Sequence, residues 1–406
     1  MVGGIRGLER SAILAAALLG AGCGFSGCSP ETSASEAGAR ATNTAIPVGS
    51  TIPGPASPSG ALPPGIAVVD TANSVQRLDW SPGGELLAVL TWGGVLGNGR
   101  ADILDLAGKT IGSFDAFDMA WVDDAHLMSF DATPNDTAHG TVAIHATDGT
   151  ESANLPDTFG GMLGNGHGSV ALMAPVIGST YSTDVSFRIW SGGQLGQSIT
   201  GFGQPMAWSP DGRLLALISQ SPTGSGGVGG PIPGTLTVLE PHSRSVVLAH
   251  QFADVRMDVY LSPDDSKLAT SDGSVLSLAD GNSIRVTGQP KGWTADGSLV
   301  VEGADQRISL WTPTVTNVVP DAFDWAVFGP NAGDVATLPA ANQNPDNPTL
   351  PTSAVVRRGG SSASIPINAS LVMATWSSTG VCFIASGTQD AQAGDDRLLR
   401  VELPAN

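Results

Sequence analysis

The sequence predicts an all-β fold, specifically a β-propeller of four-stranded antiparallel blades, on three observations. A Trp-Ser-Pro-Asp-Gly-like unit recurs along residues 65–406, at a period of roughly 43 residues, the size of one blade. Each unit carries several short β-type runs separated by Gly, Asp, Asn and Pro. Lys and Glu are sparse, and no long stretch after the first thirty residues places apolar side chains at helical spacing.

In chain order, residues 1–28 read as an export signal. Arg6 and Arg10 form the positive end, and the apolar run Ala12–Ala21 is too short to stay in a bilayer as a spanning helix. From Ser29 to Pro64 the chain is Ser, Thr, Ala, Pro and Gly with almost no large apolar residue, a composition expected of a disordered tether (residues 29–64). Of three cysteines, Cys23 and Cys28 lie in the signal region, and Cys382 stands alone in the run Val381-Cys382-Phe383-Ile384. That leaves neither a disulfide framework nor a zinc spacing, and Cys382 reads as a buried strand residue.

The repeat is clearest at Leu78-Asp79-Trp80-Ser81-Pro82-Gly83-Gly84-Glu85-Leu86-Leu87-Ala88 and at Met206-Ala207-Trp208-Ser209-Pro210-Asp211-Gly212-Arg213-Leu214-Leu215-Ala216. It is weaker at Tyr260–Ala269 and Gly292–Val300, and degenerate at Trp121–Asp124, Phe328–Asn331 and Trp376–Gly380. An eighth copy is inferred at Asn165–Leu172, where the spacing leaves room for one more unit. Pro and Asp suit the centre of a tight turn, and Gly accepts the positive φ that closes it. The apolar run after the turn has the pattern of a strand covered on both faces, and the Trp before it suits a wedge between neighbouring sheets. A later strand signal follows in every unit, from Ile103–Leu106 to Leu398–Val401. Counting these favours eight blades, with seven as the alternative. Gly65–Val69 is expected to supply the outer strand of the last blade and close the ring.

The Ser-Pro-Asp-Gly turn followed by Leu-Leu-Ala resembles the PD40 repeat of TolB-type, WD40-like bacterial propellers across most of residues 65–406. The Gly-His and Trp-Asp signatures of eukaryotic WD40 repeats are missing as a set. The segment Phe25-Ser26-Gly27-Cys28 resembles the lipobox of bacterial lipoproteins, with Gly20-Ala21-Gly22-Cys23 as a second option. That resemblance implies lipidation at Cys28 (alternatively Cys23), and an anchor at the outer face of the cytoplasmic membrane or in the periplasm.

With strands A to D numbered from the channel outward, the Pro-Asp-Gly turn joins A to B on one rim. The B–C and D–A connections then emerge on the other. B–C connections are long at Thr91–Arg100, Asp131–Gly140, Pro175–Ser186, Ser219–Gly234, Pro339–Ser353 and Ser386–Asp396, and short at Ser271–Ser274 and Gly303–Gln306. Insertions gathered on one rim point to a binding face. That rim also receives the heads of the A strands, where Asp118, Gln204, Asp258, Gln289 and Asp324 are the candidate channel-mouth ligand residues. Asp118, Asp258 and Asp324 are the candidates for a hydrated cation such as Ca²⁺, which takes hard oxygen ligands; no other cofactor is expected.

A formal charge of −19 and the lack of a basic stripe argue against nucleic acid. There is no Gly-x-Ser-x-Gly elbow, His-Glu-x-x-His pair or phosphate loop. His126, His139, His145, His167, His242 and His250 show no ligand spacing. The expectation is a monomeric, non-catalytic binding or scaffolding propeller at the bacterial cell envelope, engaging a protein, peptide or glycan through the rim opposite the Pro-Asp-Gly turns. The alternative is a propeller enzyme of the lactonase, lyase or oxidoreductase type, with its site at the channel mouth.

Overall fold

The computed structural model describes residues 64–69, 75–91, 99–133, 136–166, 168–174, 185–220, 232–255, 257–323, 325–331, 333–338, 343–344, 347–348, 353–367, 371–387 and 397–404. These form eight four-stranded antiparallel sheets, each running A-B-C-D in chain order until the last. Blade 1 is Val75–Trp80, Leu86–Thr91, Gly99–Asp105 and Thr110–Ala116; blade 2 is Asp118–Trp121, His126–Thr133, Asp136–Ala146 and Glu151–Phe159. Blade 3 is Gly161–Gly164, Ser169–Met173, Phe187–Ser191 and Gln194–Leu195; blade 4 is Gln204–Trp208, Leu215–Gln220, Gly234–Glu240 and Ser245–Phe252. Blade 5 is Val259–Leu261, Lys267–Thr270, Ser274–Ser277 and Ser283–Arg285; blade 6 is Gln289–Trp293, Leu299–Glu302, Arg307–Trp311 and Thr316–Phe323. Blade 7 is Ala326–Phe328, Val335–Thr337, Ser353–Arg358 and Ser361–Pro366, with a small hairpin (Gln343–Asn344 and Asn347–Pro348) inside its B–C connection.

Blade 8 takes its A, B and C strands from the chain's end (Leu371–Trp376, Cys382–Gly387, Arg397–Val401) and its D strand from the beginning, Ile66–Val69. Ile66 pairs with Val401 and Val69 with Leu398, so the ring closes as the sequence led one to expect. Arg400 donates to the Leu106 carbonyl in blade 1 and Glu402 N–H to the Gly65 carbonyl, which fastens the same junction. The export signal, both early cysteines and the tether up to Pro63 lie outside the described residues.

The Ser-Pro-Asp-Gly unit works as a set of local bonds. In blade 4, Ser209 N–H donates to the Leu214 carbonyl at 2.8 Å, and Leu214 N–H returns to Ser209 Oγ at 2.9 Å. Asp211 accepts from Arg213 N–H at 2.9 Å, and Gly212 sits at φ 75°. Blade 5 repeats this with Ser262, Asp264 and Lys267, but Asp265 stands where the glycine belongs, at φ 55°. The Ser262 hydroxyl holds the Asp264 carboxyl down to about 2. Such Asx-type turns let a short side chain replace a backbone partner.

The B strands are the most buried, with Leu87, Ala88, Val89, Leu215, Ala216, Leu217, Cys382 and Phe383 fully enclosed between sheets. The core is accordingly a series of apolar clusters at the seams between blades rather than one central mass. The expected long loop Asp131–Gly140 is different in the structure. Asp131 pairs with Thr141 and Ala132 with Gly140, so the B and C strands of blade 2 run on as a projecting hairpin. Its repeated threonines suit strand geometry better than loop.

Candidate functional site

The heads of the A strands and the B–C connections share one rim, and the A–B turns occupy the other. The A–B rim is tied across the seams. Gly83 N–H donates to Asp124 at 2.6 Å (blade 1 to 2), Ser378 Oγ to the Gly83 carbonyl at 3.4 Å (blade 8 to 1) and Asn165 Nδ2 to the Gly212 carbonyl at 3.4 Å (blade 3 to 4). Arg213 pairs with Asp265 at 3.1 Å (blade 4 to 5), and Arg358 donates to the Thr379 carbonyl at 2.7 Å (blade 7 to 8). Polar groups spent on neighbouring blades have little left for a partner.

Beneath that rim lies a device the sequence reading missed. Trp121 Nε1 donates to the Asp79 carbonyl at 2.9 Å, Trp208 to Leu163 at 2.8 Å, Trp293 to Tyr260 at 3.1 Å and Trp376 to Val327 at 3.1 Å. Each indole thus reaches the A strand of the preceding blade, and the donors come from blades 2, 4, 6 and 8. The equivalent positions in blades 3, 5 and 7 are Gly164, Leu261 and Phe328. At Gly164 a Cβ would meet the Ala120 Cβ at 2.6 Å, so a close approach of backbones takes the place of the wedge. The alternation of Trp with smaller residues was the available signal.

On the opposite rim, the structure places the expected residues one to a blade rather than in a cluster. Asp118 opens strand A of blade 2, where its Oδ1 accepts from Arg77 Nη1 at 2.6 Å and from Met119 N–H at 2.8 Å. Arg77 reaches Asp79 with its other nitrogen at 3.1 Å, so a buried guanidinium bridges two carboxylates over the blade 1–2 seam. A cation at Asp118 would have to compete with that guanidinium. Gln204 and Gln289 open strand A of blades 4 and 6, the first half-buried and the second exposed. Asp258 stands just before strand A of blade 5, where its N–H donates to Ser271 Oγ at 2.9 Å. Burial and the nearby Asp258 raise the Tyr260 phenol above its ordinary value. Asp324 lies outside the described residues, as does His167.

The strand A register slips by one residue at the same place in blades 4 and 6, bulging Met206 and Lys291 two residues before the Trp, and nearer the strand head in blade 1, at Gln76. Bulges of this kind re-aim a side chain, and Lys291 meets Glu302 at 2.6 Å with both groups largely buried. Among the described residues, no three His, Cys, Asp or Glu side chains are grouped to hold a metal ion. The histidines stay apart: His126 bonds Asp123 on the turn rim, and His145 is buried against Ser129 and the Phe114 ring. The short B–C connections are Asp-anchored turns, with Ser274 N–H on Asp272 at 3.0 Å and Arg307 N–H on Asp305 at 3.2 Å. The described parts of the other B–C connections are mainly strand ends.

An eight-bladed β-propeller closed by its own first strand is the class these features define. No known family profile matches the sequence, and no curated protein is found as a relative. Solved structures do match. A eukaryotic initiation factor aligns with a TM-score of 0.50 at 13% identity, over 81% of this chain and 86% of that one. The WD40 domain of Pan2 from Neurospora crassa gives 0.44 at 11% identity, over 82% of this chain and 91% of that one. The Dos1 propeller gives 0.44 at 12% identity, over 82% and 80%. At such identities the likeness concerns the fold alone.

Proposed function

We propose that this chain is a non-catalytic binding or scaffolding propeller of the PD40-like, TolB-type kind, displayed at the bacterial cell envelope. Its working face is the rim that carries the B–C and D–A connections. The observation that carries this reading is the contrast between the rims: A–B turns bonded to one another across four seams and to the end of the blade 7 C strand at a fifth, against A-strand heads such as Gln289 that face solvent. A propeller fold supports binding or scaffolding in general, since its rigid sheets hold loops in a fixed array.

In this reading Cys28 is lipidated after removal of the signal, and residues 29–64 tether the propeller clear of the membrane. The tether would join at Ile66, the outer strand of blade 8, which leaves both rims accessible. The partner is a protein, peptide or glycan of the envelope. The test is affinity capture of the full-length protein from detergent-solubilised membranes, read by mass spectrometry beside metabolic labelling with a fatty acid. A reproducible envelope partner and a label lost in Cys28→Ala support the reading. Capture of nothing beyond controls contradicts the scaffold role, and label retained in Cys28→Ala contradicts the anchor position.

A further inference from the structure

A cleft on the outer wall, independent of the A-strand-head rim, lies between blades 3 and 4. Blade 3 has an outer strand of only two paired residues, Gln194–Leu195, after the turn Gly192-Gly193. Pairing resumes at one bridge, Phe187 with Ile199, and Gly196 N–H reaches the Ile189 carbonyl at 2.8 Å. The interruption opens a cavity of about 270 Å³. Ile189, Leu195 and Ile199 contribute its apolar surface, and Gln194 and Gln197 bring amide groups to it.

The far wall is the C–D turn of blade 4, and it presents Arg244. Most described arginines in this acidic chain are ion-paired, among them Arg77, Arg100, Arg188, Arg213, Arg285, Arg307 and Arg400. Arg244 makes no hydrogen bond or ion pair with a described residue. It is also one of three described non-glycine residues with positive φ, at 59°. The turn that imposes this conformation is fixed by Ser243, whose hydroxyl donates to Glu240 Oε2 at 2.7 Å and accepts from Ser245 N–H at 3.2 Å. Glu240, the nearest rival for the guanidinium in sequence, is therefore engaged by Ser243. The same turn position is held by Gly108, Gly149 and Gly281 in blades 1, 2 and 5, all at positive φ, so blade 4 carries an arginine where the turn geometry favours glycine.

We propose that this cleft binds the C-terminal end of a peptide whose last side chain is aliphatic. Arg244 would take the carboxylate through paired N–H donors, the Gln194 and Gln197 amides the last peptide group, and the apolar surface of Ile189, Leu195 and Ile199 the side chain. A cavity of this volume holds one residue and its flanking peptide groups, not a long segment.

N-acetyl-leucine is the direct probe and N-acetyl-leucinamide its uncharged control, titrated calorimetrically into the purified protein at up to about 10 mM, a range suited to a single-residue ligand. The acid is expected to bind at least about fivefold more tightly than the amide, since one charge-assisted pair separates them. Arg244→Asn, whose side chain tolerates positive φ, is expected to lose that preference while melting at the parent temperature. Arg244→Lys is expected to keep part of it. No binding of the acid by the parent, equal binding of acid and amide, or an unchanged preference in Arg244→Asn would each overturn the proposal.

Discussion

Trp208 of blade 4 donates its indole N–H to the carbonyl of Leu163 in blade 3, at 2.8 Å. The same bond recurs at Trp121, Trp293 and Trp376, so every second seam carries an indole lock. Trp80 is the informative exception. It occupies the equivalent position in blade 1 and packs edge-on against Phe383 of blade 8, yet its Nε1 is buried without a hydrogen-bond partner. The indole bonds therefore join the blades in pairs, and the 8–1 seam is held instead by apolar packing of Val69, Trp80 and Phe383 and by the Ser378 and Arg400 bonds to blade 1.

Replacing Trp208 with Phe is expected to cost about 2 kcal/mol or more, through the lost bond, the unpaired Leu163 carbonyl and the lost ring volume. Trp80→Phe removes similar volume but no bond, so it is expected to cost about 1 kcal/mol less. Denaturant titration of both variants checks this, and equal losses would contradict the role assigned to the indole nitrogen.

Arg77 is buried between Asp79 and Asp118. Arg77→Met leaves two carboxylates facing each other at one seam and is expected to destabilise by about 3 kcal/mol at neutral pH. Denaturant titration of Arg77→Met beside the parent reads the effect; a loss under about 1 kcal/mol would refute it.

Two carboxyls are held in surroundings that disfavour their charge. Burial pushes Asp265 up to about 6, with Asp211 adding to the push; Asp131 is likewise pushed up to about 6, by burial first and then by Asp115 and Glu151. In each case the folded-state value lies above the ordinary carboxyl value of 3.8. The stabilising contribution is therefore complete below the lower value and is lost as the pH rises through the upper one. Asp131→Asn mimics the protonated form, so it is expected to raise stability above pH 6 by on the order of 1 kcal/mol, after allowing for partial solvent screening, and to change little near pH 3.5. Asp265→Gly also relieves the positive φ at the turn and is expected to stabilise at neutral pH by a similar amount. Thermal melts across pH 3.5–8 would expose an error as a gain that grows on acidification.

Much of this fold was legible in the sequence because the repeat's residues act locally. Ser209, Asp211 and Gly212 close a turn with their own neighbours, and the Leu214–Leu217 run is buried by the two-sided packing that its composition implied. The closing strand was legible for the same reason, as a short β-type run with no partner nearby in sequence. What lay beyond reach depends on contacts between blades. That Asp118 would be bridged to Asp79 by Arg77, or that Trp121 would bond the Asp79 carbonyl, follows from which residues face each other across a seam. The projecting hairpin of blade 2 was misread as a loop because Pro134, Asn135 and Asp136 signal a turn, while the threonines that extend the strands carry little apolar pattern. The Arg244 cleft was hidden because it exists only where one blade's short outer strand meets the next blade's turn.

The functional reading turns on which rim meets the partner, and site-specific photo-crosslinking in intact cells tests it most directly. A photoreactive residue at Gln204 or Gln289 reports on the A-strand heads, and one at Glu85 or Asp296 reports on the A–B turns. The account predicts crosslinked envelope species from Gln204 and Gln289 and none from Glu85 or Asp296. Crosslinks from the A–B turns alone would contradict it.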